Sequence, residues 1–321
     1  EFTFTAMIDM VTAAGLTALP VRMDEHGLLP HHLQEQCERL RKEAVTPRFL
    51  YTIPVGQNPT GSRLPRARYQ EIYQICRSYG LTIIEDDPYF YQQHRADKHA
   101  GEGEEGEGGE GGDVPGLSGL GPSYLSIDVD GRVIRLDTFS KMLAPGFRIG
   151  WLSAALPYAR HFDALSFISS QWGCSLSMML LSQMLAVDGW FESHVRALQL
   201  ALRSRCLALI RQVEKHLKGL VTYNIPPAGM FLWCTLKAPA PHTERLLEAM
   251  RAHGVCVLPG SFASVTRSSS CANFRLSFVV EEEQYMEASC RLHRVVTGLA
   301  TPQSPANGES FATESHMSLS S

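Results

Sequence analysis

Hydrophobic positions along the 321-residue chain alternate between two periods. A spacing of three to four recurs at Phe4, Met7, Ile8, Met10 and Val11 until Gly15 stops it, which predicts a helix over residues 2–14. The same period predicts helices over 33–42, over 65–79 with Gly80 as the cap, and over most of 158–187. Residues 190–217 form the longest such stretch, with Val195, Leu198, Leu202, Leu209, Ile210 and Val213 on related faces. Between these helices stand short apolar runs at 16–21, 48–53, 81–84 and 132–136, the pattern of buried parallel strands. Further strands are predicted over 229–233, 255–258 and 273–280, and helices over 243–253 and 282–296. The Asp130-Gly131 pair reads as a tight turn into the 132–136 strand.

Two stretches fit neither period. Gly101 to Gly112 holds only Gly and Glu, so the region 94–122 is expected to be a disordered acidic surface insertion. Its five glutamates would repel a phosphate, which removes any reading of the glycines as a phosphate cradle. Residues 299–321, rich in Ser, Thr, Pro and Asn, are expected to be a disordered tail.

Composition narrows the picture further. A chain of this length with 44% hydrophobic residues can bury one large core and a smaller one. A net charge of −4 and a pI near 6.3 give no basic stripe, so no nucleic-acid partner is expected. No apolar run approaches the roughly 20 residues of a membrane helix, so no membrane partner is expected either. The eight cysteines are scattered among apolar neighbours without a CxxC pair, a pattern of reduced thiols in a cytoplasmic protein and not of a metal site.

The chemistry gathers after the 132–136 strand, in Asp137-Thr138-Phe139-Ser140-Lys141-Met142-Leu143-Ala144-Pro145-Gly146-Phe147-Arg148. Its Pro and Gly make it a loop at a strand's carboxyl end, where open α/β sheets place ligands. Lys141 supplies an amine nucleophile, and Thr138, Ser140 and Arg148 supply donors for a phosphate group. That combination suits a phosphorylated aldehyde. Three other stretches carry polar groups at element ends. Asn58 sits in Gly56-Gln57-Asn58-Pro59-Thr60-Gly61, where a purely conformational role in a turn competes with a functional one. Glu85-Asp86-Asp87-Pro88-Tyr89 closes a strand, where three acids also read as solvated loop residues. Arg275 alternates with Phe274, Leu276 and Phe278 and projects from one strand face, where a surface ion pair is the plainer role.

Together, in this order, the stretches around Asn58, Asp86, Lys141 and Arg275 resemble the fold-type I pyridoxal-phosphate aminotransferases of class I and II. The likeness is closest to the fungal aromatic amino acid and 2-aminoadipate aminotransferases and runs from Glu1 to about Val296. It implies a three-layer α/β/α large domain with a mainly parallel sheet, over 1–188, and a linking helix over 189–218. A smaller α+β domain over 219–298 would follow. In the resembled family a long segment normally precedes this point, so the chain reads as N-terminally truncated.

The resemblance also assigns roles. Lys141 would be the Schiff-base lysine and proton shuttle, and Asp86 would pair with the pyridine nitrogen of pyridoxal 5′-phosphate. Asn58 and Tyr89 would meet the 3′-oxygen, and Thr138, Ser140 and Arg148 the phosphate. Phe4 would stack on the ring, as an aromatic face can. Arg275, with Asn58, would bind the substrate carboxylate through its planar fork. The implied reaction is ping-pong transamination between an aromatic amino acid or 2-aminoadipate and a 2-oxo acid such as 2-oxoglutarate, in a homodimer. Other reactions on the same cofactor, or an inactive chain that pairs with a complete homologue, stay open at this stage.

Overall fold

The structure is a computed structural model and describes residues 1–95, 114–237 and 241–300; the Gly/Glu run and the tail beyond residue 300 lie outside the described residues. Helix α1 (Thr5–Ala13) is followed by a short antiparallel pair, β1 (Met23–Asp24) and β2 (Gly27–Leu28), and by α2 (Pro30–Lys42). Then come β3 (Phe49–Thr52), α3 (Arg66–Tyr79), β4 (Thr82–Asp86), β5 (Val133–Thr138) and β6 (Gly150–Ala154). These four strands form one sheet in the order β3-β4-β5-β6, with the first three parallel and β6 antiparallel to β5. Gly80 ends α3 in the left-handed conformation at φ +70°, which a side chain would resist.

The pleat of this sheet separates two chemistries. Register pairs Ile83 with Val133 and Glu85 with Arg135, so Ile83, Glu85, Asp87, Val133, Arg135 and Asp137 share one face. On that face the apolar members pack against Leu33 and Cys37 of α2 and Tyr69, Ile72, Tyr73 and Cys76 of α3. The opposite face carries Tyr51, Asp86 and Thr138 at neighbouring strand ends.

Helices α4 (Leu156–Ser169), α5 (Ser175–Leu185) and α6 (Trp190–Leu217) follow. The last matches the predicted bounds. It leads into a second sheet of β7 (Val221–Tyr223), β8 (Phe231–Leu236), β9 (Leu258–Pro259) and β10 (Asn273–Ser277), with α7 (Thr243–Ala252), the single turn α8 (Gly260–Ala263) and α9 (Glu282–Ala300). This sheet is antiparallel throughout, in the order β7-β8-β10-β9. Leu202, Leu209 and Val213 of α6, Leu246 and Met250 of α7, and Leu292, Val295 and Val296 of α9 cover Leu232, Cys234 and Phe274.

Two predicted strands differ. Residues 16–21 form no strand: Pro20 lacks a ladder donor, and they border an apolar cavity of about 410 Å³ that separates them from the free edge of β3. The 255–258 run keeps only Leu258, because Val255 still donates to Met250 of α7 and Gly254 turns the chain at φ +60°. Part of the expected surface insertion is instead packed: Val114 is buried, and Gly116 is held at both its N–H and its carbonyl by the Gln199 amide. No helix among the described residues is long and apolar enough to cross a membrane.

His94 links the two sheets' regions at a cost. Its N–H donates to Pro227, its ring lies edge-on to Phe278 at 5.9 Å, and neither ring nitrogen finds a partner in the described residues. Burial, with Arg95, Arg63 and Arg203 nearby, pushes the imidazole down to about 3 from 6.5. A folded-state value below the unfolded one means that stability is full above pH 6.5 and drains as pH falls toward 3. At pH 5 the drain from this group is about 2 kcal/mol. His94→Leu is therefore expected to narrow the pH 7 to pH 5 difference in urea unfolding free energy by that amount; an unchanged difference would contradict the assignment.

Candidate active site

Lys141 stands in a loop that begins at Thr138, the last residue of β5, and its backbone is held from several directions. Phe139 donates to Ile149 at 3.0 Å, and Leu143 donates back to Phe139 at 2.9 Å. The buried amide of Gln92 donates to the Lys141 carbonyl at 2.5 Å, and the His194 ring donates to the Met142 carbonyl at 2.6 Å. The Lys141 side chain is half-buried, and among the described residues its ammonium has no hydrogen bond or ion pair.

Donors for an anion line the same loop. The Thr138 hydroxyl donates to the Ile149 carbonyl at 3.1 Å and accepts the Ser140 N–H at 3.1 Å. Arg148 adopts φ +53°, which folds the chain back so that its guanidinium donates to the Ser140 hydroxyl at 3.4 Å and to the Pro145 carbonyl at 3.2 Å. The Ser140 hydroxyl and a solvent-facing guanidinium suit a phosphate, and the Thr138 hydroxyl can join them by turning its one proton away from Ile149.

Asp86 ends β4 one strand away. The Tyr51 hydroxyl on β3 donates to its Oδ2 at 2.5 Å. Burial pushes the Asp86 carboxyl up, and the Tyr51 hydrogen bond pulls it back. A carboxylate so placed suits a protonated ring nitrogen. Tyr89 follows on the same loop, buried, with its ring edge-on to Phe231 at 5.7 Å and its hydroxyl without a hydrogen bond among the described residues.

Asn58 and Arg275 meet directly. The guanidinium donates to Asn58 Oδ1 at 2.6 Å while lying over the Phe231 ring at 4.0 Å. Among the described residues the Asn58 amide N–H groups have no acceptor and can donate. The Asn58-Pro59 bond is cis. Just before it, Gly56 and Gly229 cross so closely that a Cβ on Gly56 would sit 2.7 Å from the Gly229 Cα. The plainer readings of Asn58 as a bare turn residue and of Arg275 in a surface ion pair do not describe this contact.

Of the predicted residues, Thr138, Ser140 and Arg148 are linked to one another, and Asn58 to Arg275. Phe4 stands apart. It precedes α1 as its N-cap residue and is 44% exposed, and no hydrogen bond or ring contact joins it to the others. Tyr51, Gln92, His194 and Phe231 were not foreseen. Each lies inside an ordinary apolar or helical run, where only the strand pairing and loop packing reveal what it touches.

Beneath Asp86, on the helix-covered face, Arg135 is buried among three acids. It is bidentate to Asp137 at 2.8 and 2.9 Å, 3.1 Å from Asp87 and 3.8 Å from Glu85, and lies 4.3 Å over Phe90. Glu85 also accepts the N–H groups of Tyr124 and Leu125, whereas the Asp87 oxygens lack a well-directed hydrogen bond despite their ion pair. Burial pushes Glu85 up and Asp87 well up, against the pull of Arg135.

Residues 1–292 match the family described as aminotransferase class I and II. The chain belongs to that family. It is 36% identical over 241 residues to the L-tyrosine:2-oxoglutarate aminotransferase of Tapinella panuoides, covering 73% of this chain and 45% of the relative. It is 31% identical over 283 residues to the mitochondrial kynurenine/alpha-aminoadipate aminotransferase of Mus musculus, covering 86% of this chain and 61% of the relative. The chain thus spans about half to three fifths of the length of these relatives. The alpha-aminoadipate aminotransferase LysN of Thermus thermophilus superposes with a TM-score of 0.78 at 25% identity, covering 92% of this chain and 69% of that one, and was solved with N-(5'-phosphopyridoxyl)-L-leucine. Pyridoxal 5′-phosphate is the cofactor of this aminotransferase family, and the donor set here fits it: an unpaired lysine, a strand-end carboxylate and a hydroxyl-guanidinium cluster.

Proposed function

We infer that the protein is a pyridoxal-phosphate-dependent aminotransferase acting on an aromatic amino acid or 2-aminoadipate, with 2-oxoglutarate as the second substrate. The observation that carries this reading is the Lys141 loop: a free amine on a backbone held by Gln92 and His194, beside the Thr138, Ser140 and Arg148 donors. The relatives named for tyrosine, kynurenine and aminoadipate suggest the donors.

Thr138, Ser140 and Arg148 would hold the phosphate, Asp86 the ring nitrogen, and Asn58 and Tyr89 the 3′-oxygen. When bound, the cofactor supplies a carbonyl carbon for the amine and a ring that draws negative charge from the substrate's α-carbon. Lys141 would hold the cofactor through its amine. Its amine is also the group that would take up and pass on the proton of the substrate's α-carbon. Arg275 would bind the α-carboxylate through its fork, with Asn58 hydrogen-bonded to the guanidinium and holding it in place. Because the keto product leaves before the second 2-oxo acid binds, the kinetics are ping-pong.

The reading is tested by loading the protein with pyridoxal phosphate and adding phenylalanine, tyrosine or 2-aminoadipate in a single turnover. Stoichiometric 2-oxo acid without added 2-oxoglutarate supports it. Loss of carbon dioxide or of a side-chain leaving group would replace it with a decarboxylase or lyase.

Helices α4 and α5 and the connection between them leave Phe167, Ile168, Trp172, Leu176 and Met179 exposed, a run of apolar surface of the kind that marks an interface. This face supports the homodimer reading. Light scattering is expected to give twice the mass of the 35.6 kDa chain, and a monomer at micromolar concentration would count against it.

A further inference from the structure

The proposed site leaves one strand residue with a direct contact and no role. Tyr51 sits on β3, in register with Ile84, so it points to the same face as Asp86 on the neighbouring strand. Its hydroxyl donates to Asp86 Oδ2 at 2.5 Å, the only hydrogen bond Asp86 receives on its side chain among the described residues. Both side chains are only partly accessible, and the Tyr51 hydroxyl has no other partner there. The other titratable groups that bear on Asp86 are Tyr89 on its own loop and Asp137 on β5. Neither donates to it. A lone donor on a partly buried carboxylate does two things: it fixes the rotation of the carboxylate plane, and it favours the ionised form.

We propose that Tyr51 is a positioning residue that aims Asp86 at the cofactor's ring nitrogen and keeps it ionised. The inference rests on the reading of Asp86 given above. Oδ2 is occupied by Tyr51, so Oδ1 is the oxygen left to meet the nitrogen. A phenol is a suitable partner because it donates one hydrogen bond and stays neutral. A cationic partner in its place would compete with the protonated ring for the same negative charge. The chain backbone assists, since β3 and β4 are paired through four residues and carry the two side chains as a rigid unit.

The test uses the intact chain and Tyr51→Phe, which keeps the ring and removes only the donor. Asp86 is titrated by carbon-13 NMR on aspartate-labelled protein without cofactor, with Asp86→Asn identifying its signal. Tyr51→Phe is expected to raise the Asp86 midpoint by at least about one unit. Binding is then measured for pyridoxal phosphate and for its analogue with carbon in place of the ring nitrogen. The variant is expected to bind the nitrogen-containing ligand about tenfold more weakly and the carbon analogue equally well, and Tyr51→His is not expected to restore the difference. An unmoved midpoint, or equal weakening toward both ligands, would overturn the proposal and leave Tyr51 a packing residue. If the midpoint moves while the unsubstituted protein binds neither ligand, the action of Tyr51 on Asp86 stands and the cofactor role of Asp86 falls.

Discussion

Lys141→Ala is expected to lower single-turnover formation of the 2-oxo acid by at least about 10⁴-fold. Proton transfer by a positioned base contributes up to roughly that factor alone, and the loss of covalent attachment adds to it. The fold should be indifferent to the change. The contacts that shape the loop are made by backbone atoms of Phe139, Lys141, Met142 and Leu143, and the lysine side chain contributes to none of them. Urea unfolding free energy is therefore expected to stay within about 0.5 kcal/mol of the parent. The two readouts must separate: retention of more than a percent of the rate would remove Lys141 from the mechanism, and a large loss of stability would make the rate uninformative.

Arg135→Met is expected to have the largest effect on stability, a loss of about 3 to 5 kcal/mol. Methionine keeps the stem over Phe90 but leaves Glu85, Asp87 and Asp137 facing one another without a cation. The loss should depend on pH in a definite direction. With the arginine present, Glu85 and Asp87 already lie above their unfolded values, and without it they rise further. Groups raised in the folded state favour folding below the unfolded value near 4 and lose that advantage as pH climbs. The deficit relative to the parent should accordingly be larger at pH 8 than at pH 5, in urea titrations at both. A deficit that ignores pH would mean that the three acids are not what the arginine serves.

Much of the first sheet was legible because its strands obey simple patterns. Leu81 to Ile84 is a largely apolar run flanked by a glycine and three acids, and the strand takes in the first two of those acids and ends at Asp86. Trp190 to Leu217 was readable residue by residue, since its apolar stripe has no competing breaker. The run 16–21 misled for the opposite reason: its residues are apolar enough for a strand, but strand formation requires a partner, and none of the described residues supplies one. Among site residues, Lys141, Asp86 and Asn58 stand at the ends of runs, where a polar residue attracts notice. Tyr51 and Gln92 do not. Their importance comes from what lies across a strand pair or above a loop, and one-dimensional spacing holds no information on that.

The bond between Arg275 and Asn58 spans 217 positions of the chain, whereas Thr138, Ser140 and Arg148 lie within eleven. Closing the longer loop costs more chain entropy and awaits the completion of β10, so the two halves of the pocket differ in when they can form. During refolding the phosphate-side loop can assemble from local contacts, while the anion fork becomes available only once the carboxyl-terminal sheet has docked against Gly56. A nascent chain would therefore acquire the means to grip a phosphate before it acquires the means to select a substrate.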